Sequence, residues 1–201
     1  MRAQRKLLRE LVTHDGLKDS LTGLLSLPAF LESAKRELHS AERNGANLIL
    51  YLVSITEIND AGKRAHIVRA DREITEQSDD ELYSLAARIV EISHALTHQL
   101  RANDLIARYT FAEFLIMNSG DTSEITKKLR EIVDNFGAMV IGIEMVRIGS
   151  KRTTQSFAAN LITADEIPPG KKNQQLSVES AISLLEEEMA ALIISGYAST
   201  E

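Results

Sequence analysis

The chain has 201 residues, 44% of them apolar and 26% charged, which fits one globular domain with a sizeable core. Its net charge of -6 argues against a general nucleic-acid-binding surface, while a local basic pocket could still take a small anion. It has no cysteine, so disulfides, thiolate metal sites and cysteine nucleophiles are excluded. No apolar run is long enough to span a bilayer, and the charged opening residues lack a signal-peptide core. No membrane insertion and a cytoplasmic location are therefore expected.

Residues 1–14 read as a helix with Leu7, Leu8, Leu11 and Val12 on one stripe. It is expected either to pack on its own domain or to connect or dimerise; a homodimer is one expectation. Residues 15–201 are assigned to a single domain. Residues 15–23 are rich in turn formers. Asp19-Ser20-Leu21-Thr22-Gly23-Leu24 then opens a long helix, with Phe30, Leu31, Ala34 and Leu38 on its stripe and Arg43-Asn44-Gly45 as its stop. The continuous apolar run 48–53 predicts a strand covered on both faces.

Residues 63–77 show no clear apolar period and read as a surface excursion. Residues 79–100 form the clearest helix, with Leu82, Leu85, Ala86, Ile89, Ile92 and Leu96 at helical spacing. Two short apolar runs around Thr110-Phe111-Ala112-Glu113 predict a β-hairpin, yet that turn lacks the Gly or Asn that a tight hairpin turn prefers. An amphipathic helix over 122–136, stopped by Gly137, and a strand over 138–145 follow. Residues 165–175 read as loop, and 178–194 as a closing helix. The order of strand, helix, hairpin, helix and strand predicts an α+β, ferredoxin-like antiparallel sheet, backed by helices on one side.

At three places the sequence resembles the GGDEF domain, the fold of diguanylate cyclases. Asp19-Ser20-Leu21-Thr22-Gly23-Leu24 is similar to its D-x-L-T-G-L segment. The run from Tyr51 to Ile58-Asn59-Asp60 is similar to the strand and turn that end in I-N-D. Arg108 to Phe114 sits where the family has R-Y-G-G-[DE]-E-F. The likeness covers about 15–144 and is weak after about 150. It implies the nucleotidyl-cyclase type of sheet flanked by helices. It also implies an enzyme lineage that condenses two GTP into cyclic di-GMP, each ribose 3′ hydroxyl attacking the other nucleotide's α-phosphate with the help of divalent metals.

The same alignment shows departures. The two metal-binding aspartates of the family fall on Tyr51 and Val53, the two signature glycines on Thr110 and Phe111, and the catalytic acid on Ala112. Of the signature's final positions Glu113 and Phe114 are retained. The phosphate-binding lysine of the family's last helix falls near Gly196, with a trace of that segment in Ala191-Leu192-Ile193. The expectation is a catalytically inactive domain with no metal and no cofactor.

Other positions are kept. Asn59 and Asp79 match the family's guanine-contacting residues, although a capping or turn role explains both more simply. Arg101-Ala102-Asn103-Asp104 falls in register with the family's R-x-x-D product-inhibition site, in which Arg and Asp bind guanine and phosphate of cyclic di-GMP. A guanidinium fork suits guanine O6 and N7 or a phosphate, and a carboxylate accepts from guanine N–H groups. Arg130 is a candidate second phosphate contact. His94 and His98, four apart, are read as solvated helix residues rather than metal ligands.

Three readings follow. The first is a cyclic di-GMP receptor acting through Arg101 and Asp104 on an unknown protein partner or attached module. The second is a ligand-free interaction scaffold. The third is a residual cyclase or GTP sensor.

Overall fold

A computed structural model describes residues 15–58, 64–66, 79–119, 122–146, 161–162 and 177–194. The expected helix over 1–14, Asn59 and the loop over 165–175 lie outside these residues. The described elements are α1 (Leu27–Asn44), β1 (Leu48–Ile58), β2 (Arg64–His66), α2 (Asp79–Gln99), β3 (Leu105–Arg108), β4 (Glu113–Ser119), α3 (Thr122–Phe136), β5 (Ala138–Val146), β6 (Leu161–Ile162) and α4 (Val178–Ile194).

The six strands form one sheet. Its order is β3-β4-β1-β5-β6, with β2 paired to the end of β1. β1 runs antiparallel to both β4 and β5, and β3 and β4 form the expected hairpin. The strands β3-β4-β1-β5 with α2 and α3 give the ferredoxin-like arrangement.

β1 shows why the sequence folds this way. Side chains alternate across a strand. Ile49, Tyr51, Val53 and Ile55 enter one core with Ile89, Ile92 and Leu96 of α2 and Ile125, Leu129 and Ile132 of α3. Leu48, Leu50 and Leu52 enter a second core with Phe30, Ala34 and Leu38 of α1 and Ala181, Ile182 and Leu185 of α4. Helices therefore cover both faces of the sheet, which corrects the expected one-sided backing. The physical reason lies in the apolar stripes of α1 and α4. Each needs a surface to bury against, and α2 and α3 already cover the other face.

Two further differences concern the ends of elements. Asp19 to Leu24 does not begin a helix. Its Asp19 Oδ1 accepts hydrogen bonds from the Thr22 N–H (2.9 Å) and the Thr22 hydroxyl (2.7 Å), closing a turn. The helix starts at Leu27, with Ser26 as N-cap and Pro28 in the first turn, and ends on Gly45 at φ 61°. Arg64–His66, read as part of a featureless excursion, pairs with Thr56 to Ile58. Leu161–Ile162 adds a parallel pairing to β5 that the sequence pattern did not indicate.

The segment before α1 is tied to the hairpin by a buried ion pair. Arg108 Nη2 lies 2.6 Å from Asp19 Oδ2, and the side chains are only 4% and 8% exposed. Leu25 also donates its N–H to the Ile106 carbonyl at 3.1 Å. Removing one partner of such a pair strands a charge in a dry place, which costs about 3–5 kcal/mol.

A second junction lies at the same end of the sheet, on the β5 side of β1. Arg88 of α2 donates to the carbonyls of Phe136 and Thr56, and the Thr56 hydroxyl donates to the Gly137 carbonyl at 2.7 Å. Gly137 itself has φ 61°, and a Cβ there would stand 3.2 Å from Arg88 Nη2.

Arg108→Leu lowers the free energy of unfolding by about 3–5 kcal/mol in urea denaturation. A loss below about 1 kcal/mol, the scale of an exposed pair, would mean that water reaches Asp19 and Arg108. Gly45→Ala bears only the left-handed backbone cost of about 1–2 kcal/mol, because its Cβ would meet open space. Gly137→Ala costs more than Gly45→Ala in the same assay, because Arg88 must also move.

Candidate functional site

The hairpin turn is the first place to look for chemistry, since the resemblance puts the phosphate cradle there. Phe111 and Ala112 point inward and are 7% and 3% exposed. Both belong to the core of α2 and α3, beside Leu24, Tyr51 and Val53. The turn is fixed from two sides. The Glu113 carbonyl accepts from the Tyr109 N–H at 2.8 Å, and the Ala112 carbonyl accepts from the Ile55 N–H at 2.9 Å. The Thr110 hydroxyl donates to Glu113 Oε2 at 2.9 Å, which keeps that retained carboxylate on its own turn. The other retained residue, Phe114, is fully buried opposite Val53. It is a core residue.

The donor set here does not fit a divalent metal. Such ions take oxygen ligands, chiefly carboxylates. Tyr51 and Val53 are 2% and 0% exposed within an apolar core, and Ala112 carries no donor. Among the described residues, no group of three or more His, Asp or Glu side chains could hold a metal ion.

Tyr109 links the hairpin to α4. Its hydroxyl donates to Glu186 Oε1 at 2.7 Å. Burial raises its pKa above the ordinary tyrosine range. The Glu186 bond and the charges of Glu186 and Glu113 push in the same direction, so the phenol stays a neutral donor.

The R-x-x-D turn lies at the opposite end of β4, between the end of α2 and the start of β3. It is a closed hydrogen-bonded unit. The Asp104 N–H donates to the Arg101 carbonyl at 3.0 Å, and the Arg101 N–H donates to Asp104 Oδ2 at 2.8 Å. Asp104 Oδ1 accepts from Asn118 Nδ2 at 2.7 Å. Asn118, 2% exposed, sits on β4 and thereby anchors the carboxylate to the sheet.

The Arg101 side chain is 48% exposed and turns toward α3, where it pairs with Glu124. Glu124 Oε1 also lies 2.9 Å from Lys128 Nζ, one helical turn on. These two cations, Lys128 foremost, hold the Glu124 carboxyl below the usual carboxylate range. Arg101 and Asp104 are thus neighbours in one turn, the first about half exposed and the second partly buried.

The remaining expected residues are more dispersed. Arg130 is exposed on α3, six residues beyond Glu124, or about 9 Å along the axis. Asp79 is the first residue of α2, and Asn59 lies outside the described residues. His94 and His98 are exposed on α2, their ring centroids 6.4 Å apart.

Sequence reasoning missed Asn118, Glu124 and Lys128. Glu124 and Lys128 do carry a signal, an acid in the first helical turn followed four residues later by a base. Asn118 carries a weaker one, a lone amide at the end of the apolar run 114–117.

No family model matches this sequence, and no curated protein sequence matches it. Solved structures do. The coiled coil and GGDEF domain of DgcB from Caulobacter crescentus, in complex with c-di-GMP, is similar at a TM-score of 0.54 and 14% identity, over 94% of this chain and 87% of that one. A microbial GGDEF domain solved with bis-(3′,5′)-cyclic di-GMP is similar at 0.53 and 16% identity, over 87% and 91%. The diguanylate cyclase SiaD from Pseudomonas aeruginosa, in complex with its activator SiaC, is similar at 0.50 and 20% identity, over 95% of this chain and 63% of that one. The α+β sheet with β1 at its centre and helices on both faces is the GGDEF fold, and this chain is a GGDEF-like domain in its architecture.

Proposed function

We propose that this domain is a non-catalytic signalling module that binds cyclic di-GMP through Arg101 and Asp104 and conveys its state to a partner protein or attached module. The observation that carries the reading is a contrast between the two ends of β4. At one end, where the resemblance puts the phosphate cradle, Phe111 and Ala112 are buried apolar side chains. At the other end Arg101 and Asp104 keep a guanidinium and a carboxylate in one turn, with the carboxylate anchored by Asn118.

A guanidinium that is half exposed can exchange partners without unfolding anything. An exposed ion pair contributes at most about 1 kcal/mol, whereas a good bidentate contact to guanine contributes about 1–3 kcal/mol. The ligand-bound GGDEF domains of similar fold support cyclic di-GMP as the dinucleotide to test. Arg130 is the proposed source of a further phosphate contact. Asn59 and Asp79 are read as capping or turn residues rather than as a working guanine pocket.

The ligand-free scaffold is the second reading. It is favoured by the pairing of Arg101 with Glu124, which leaves the turn electrically satisfied with no ligand. The complex of SiaD with SiaC supports protein contact as a role within this fold.

Calorimetric titration with cyclic di-GMP separates the two. The expected result is micromolar binding, near -8 kcal/mol, weakened about 5- to 150-fold in Arg101→Ala. Flat heats for the folded wild-type chain at several hundred micromolar ligand would remove the receptor reading and leave the scaffold. The catalytic side is tested by incubation with GTP and Mg²⁺ or Mn²⁺, followed by chromatography. Neither the wild-type chain nor Ala112→Asp is expected to form cyclic di-GMP, because restoring one acid leaves Tyr51, Val53 and Phe111 in place. Product from the wild-type chain would overturn the non-catalytic reading.

A further inference from the structure

We infer that Glu124 is a built-in competitor for the R-x-x-D turn: its carboxylate holds the Arg101 guanidinium in the free protein, and an anionic ligand binds by displacing it. This rests on the receptor reading of the same turn and adds to it a residue and a mode of control.

The geometry divides the charges clearly. Asp104 does not bind the Arg101 side chain; its two oxygens take the Arg101 N–H at 2.8 Å and the Asn118 amide at 2.7 Å. The guanidinium is thereby left to reach across to α3. There it meets Glu124 Oε2, from a residue 23 positions later in the chain. The carboxylate offers the fork the same kind of charge-assisted oxygen contact that a ligand phosphate would offer.

Glu124 is well placed to keep its charge while it waits. It lies in the first turn of α3, where the helix dipole favours an anion. Its other oxygen is 2.9 Å from Lys128 Nζ. When Arg101 changes partner, Lys128 retains Glu124, so the displaced carboxylate is never left unpaired. Displacement is therefore reversible, and it requires two half-exposed side chains to separate. The Arg101 and Glu124 side chains are 48% and 49% exposed.

The inference predicts that a conservative loss of charge at Glu124 tightens binding. In calorimetry with cyclic di-GMP, Glu124→Gln is expected to bind about two- to fivefold more tightly than wild type, the scale of an exposed pair. Glu131→Gln removes the same charge from an exposed position two turns further along α3, and is expected to change affinity less. Arg101→Ala in the Glu124→Gln background should lose the gain along with most of the binding. Equal affinities for wild type and Glu124→Gln, or an equal gain from Glu131→Gln, would overturn the competitor while leaving the receptor reading intact. Silence from both wild type and Glu124→Gln, with circular dichroism showing both folded, would overturn the receptor reading and the competitor with it.

Discussion

The central constraint is that β1 has no wet face from Leu48 to Val53. Every residue from Leu48 to Val53 is at most 2% exposed, and alternate side chains enter two separate apolar cores. A carboxylate on such a strand would have to leave water without a compensating partner, at a cost of several kcal/mol. Tyr51 and Val53 avoid that cost. The same constraint reaches the hairpin turn, since Phe111 and Ala112 pack into the core that Tyr51 and Val53 help to form. Hydrophobic continuity between strand and turn thus decides what chemistry this end of the sheet can host. The apolar character there is collective, because each apolar side chain supplies the surroundings that suit the next.

The other end of the sheet follows different rules. Here backbone and side-chain hydrogen bonds, rather than apolar packing, determine the geometry. Asp104 is fixed by the turn it closes and by an amide on the neighbouring strand, while the Arg101 side chain is about half exposed and pairs with Glu124 on α3. The two ends are joined by the hairpin itself, which Arg108 ties to Asp19 and Tyr109 ties to α4.

Much of the fold was legible in the sequence because its periods are strong. The run 48–53 fitted a strand covered twice, and the stripe of α2 named its buried Leu85, Ile89, Ile92 and Leu96. The hairpin was legible in spite of its turn: two apolar runs outweighed the missing glycine. What the sequence hid were features without a local pattern. The three residues of β2 are too few to show an alternation, and the parallel pairing of β6 depends on a strand far away in sequence. The two-sided helix cover was hidden because a stripe says that a helix buries one face, and does not say which face of the sheet receives it. Within the candidate site, Arg101 and Asp104 were visible as a spaced pair. Their partners were not, because Asn118 and Glu124 reach them only through the fold, across 14 and 23 positions of chain.

One pairing in the centre of the sheet has a further meaning. Tyr51 stands directly opposite Ile116 on one side and Gly142 on the other. On an antiparallel sheet, paired side chains share a face, so the absent side chain of Gly142 leaves room that an aromatic ring can cover. The two positions are coupled by volume. An aspartate placed at Tyr51 would be too small as well as too polar, and would open a hole beside the glycine while carrying its charge into the core. The strand therefore behaves like a ratchet. A route from this sequence toward a carboxylate-bearing β1 begins with a step down in stability, and the coordinated repacking of several neighbours must come before any gain in chemistry.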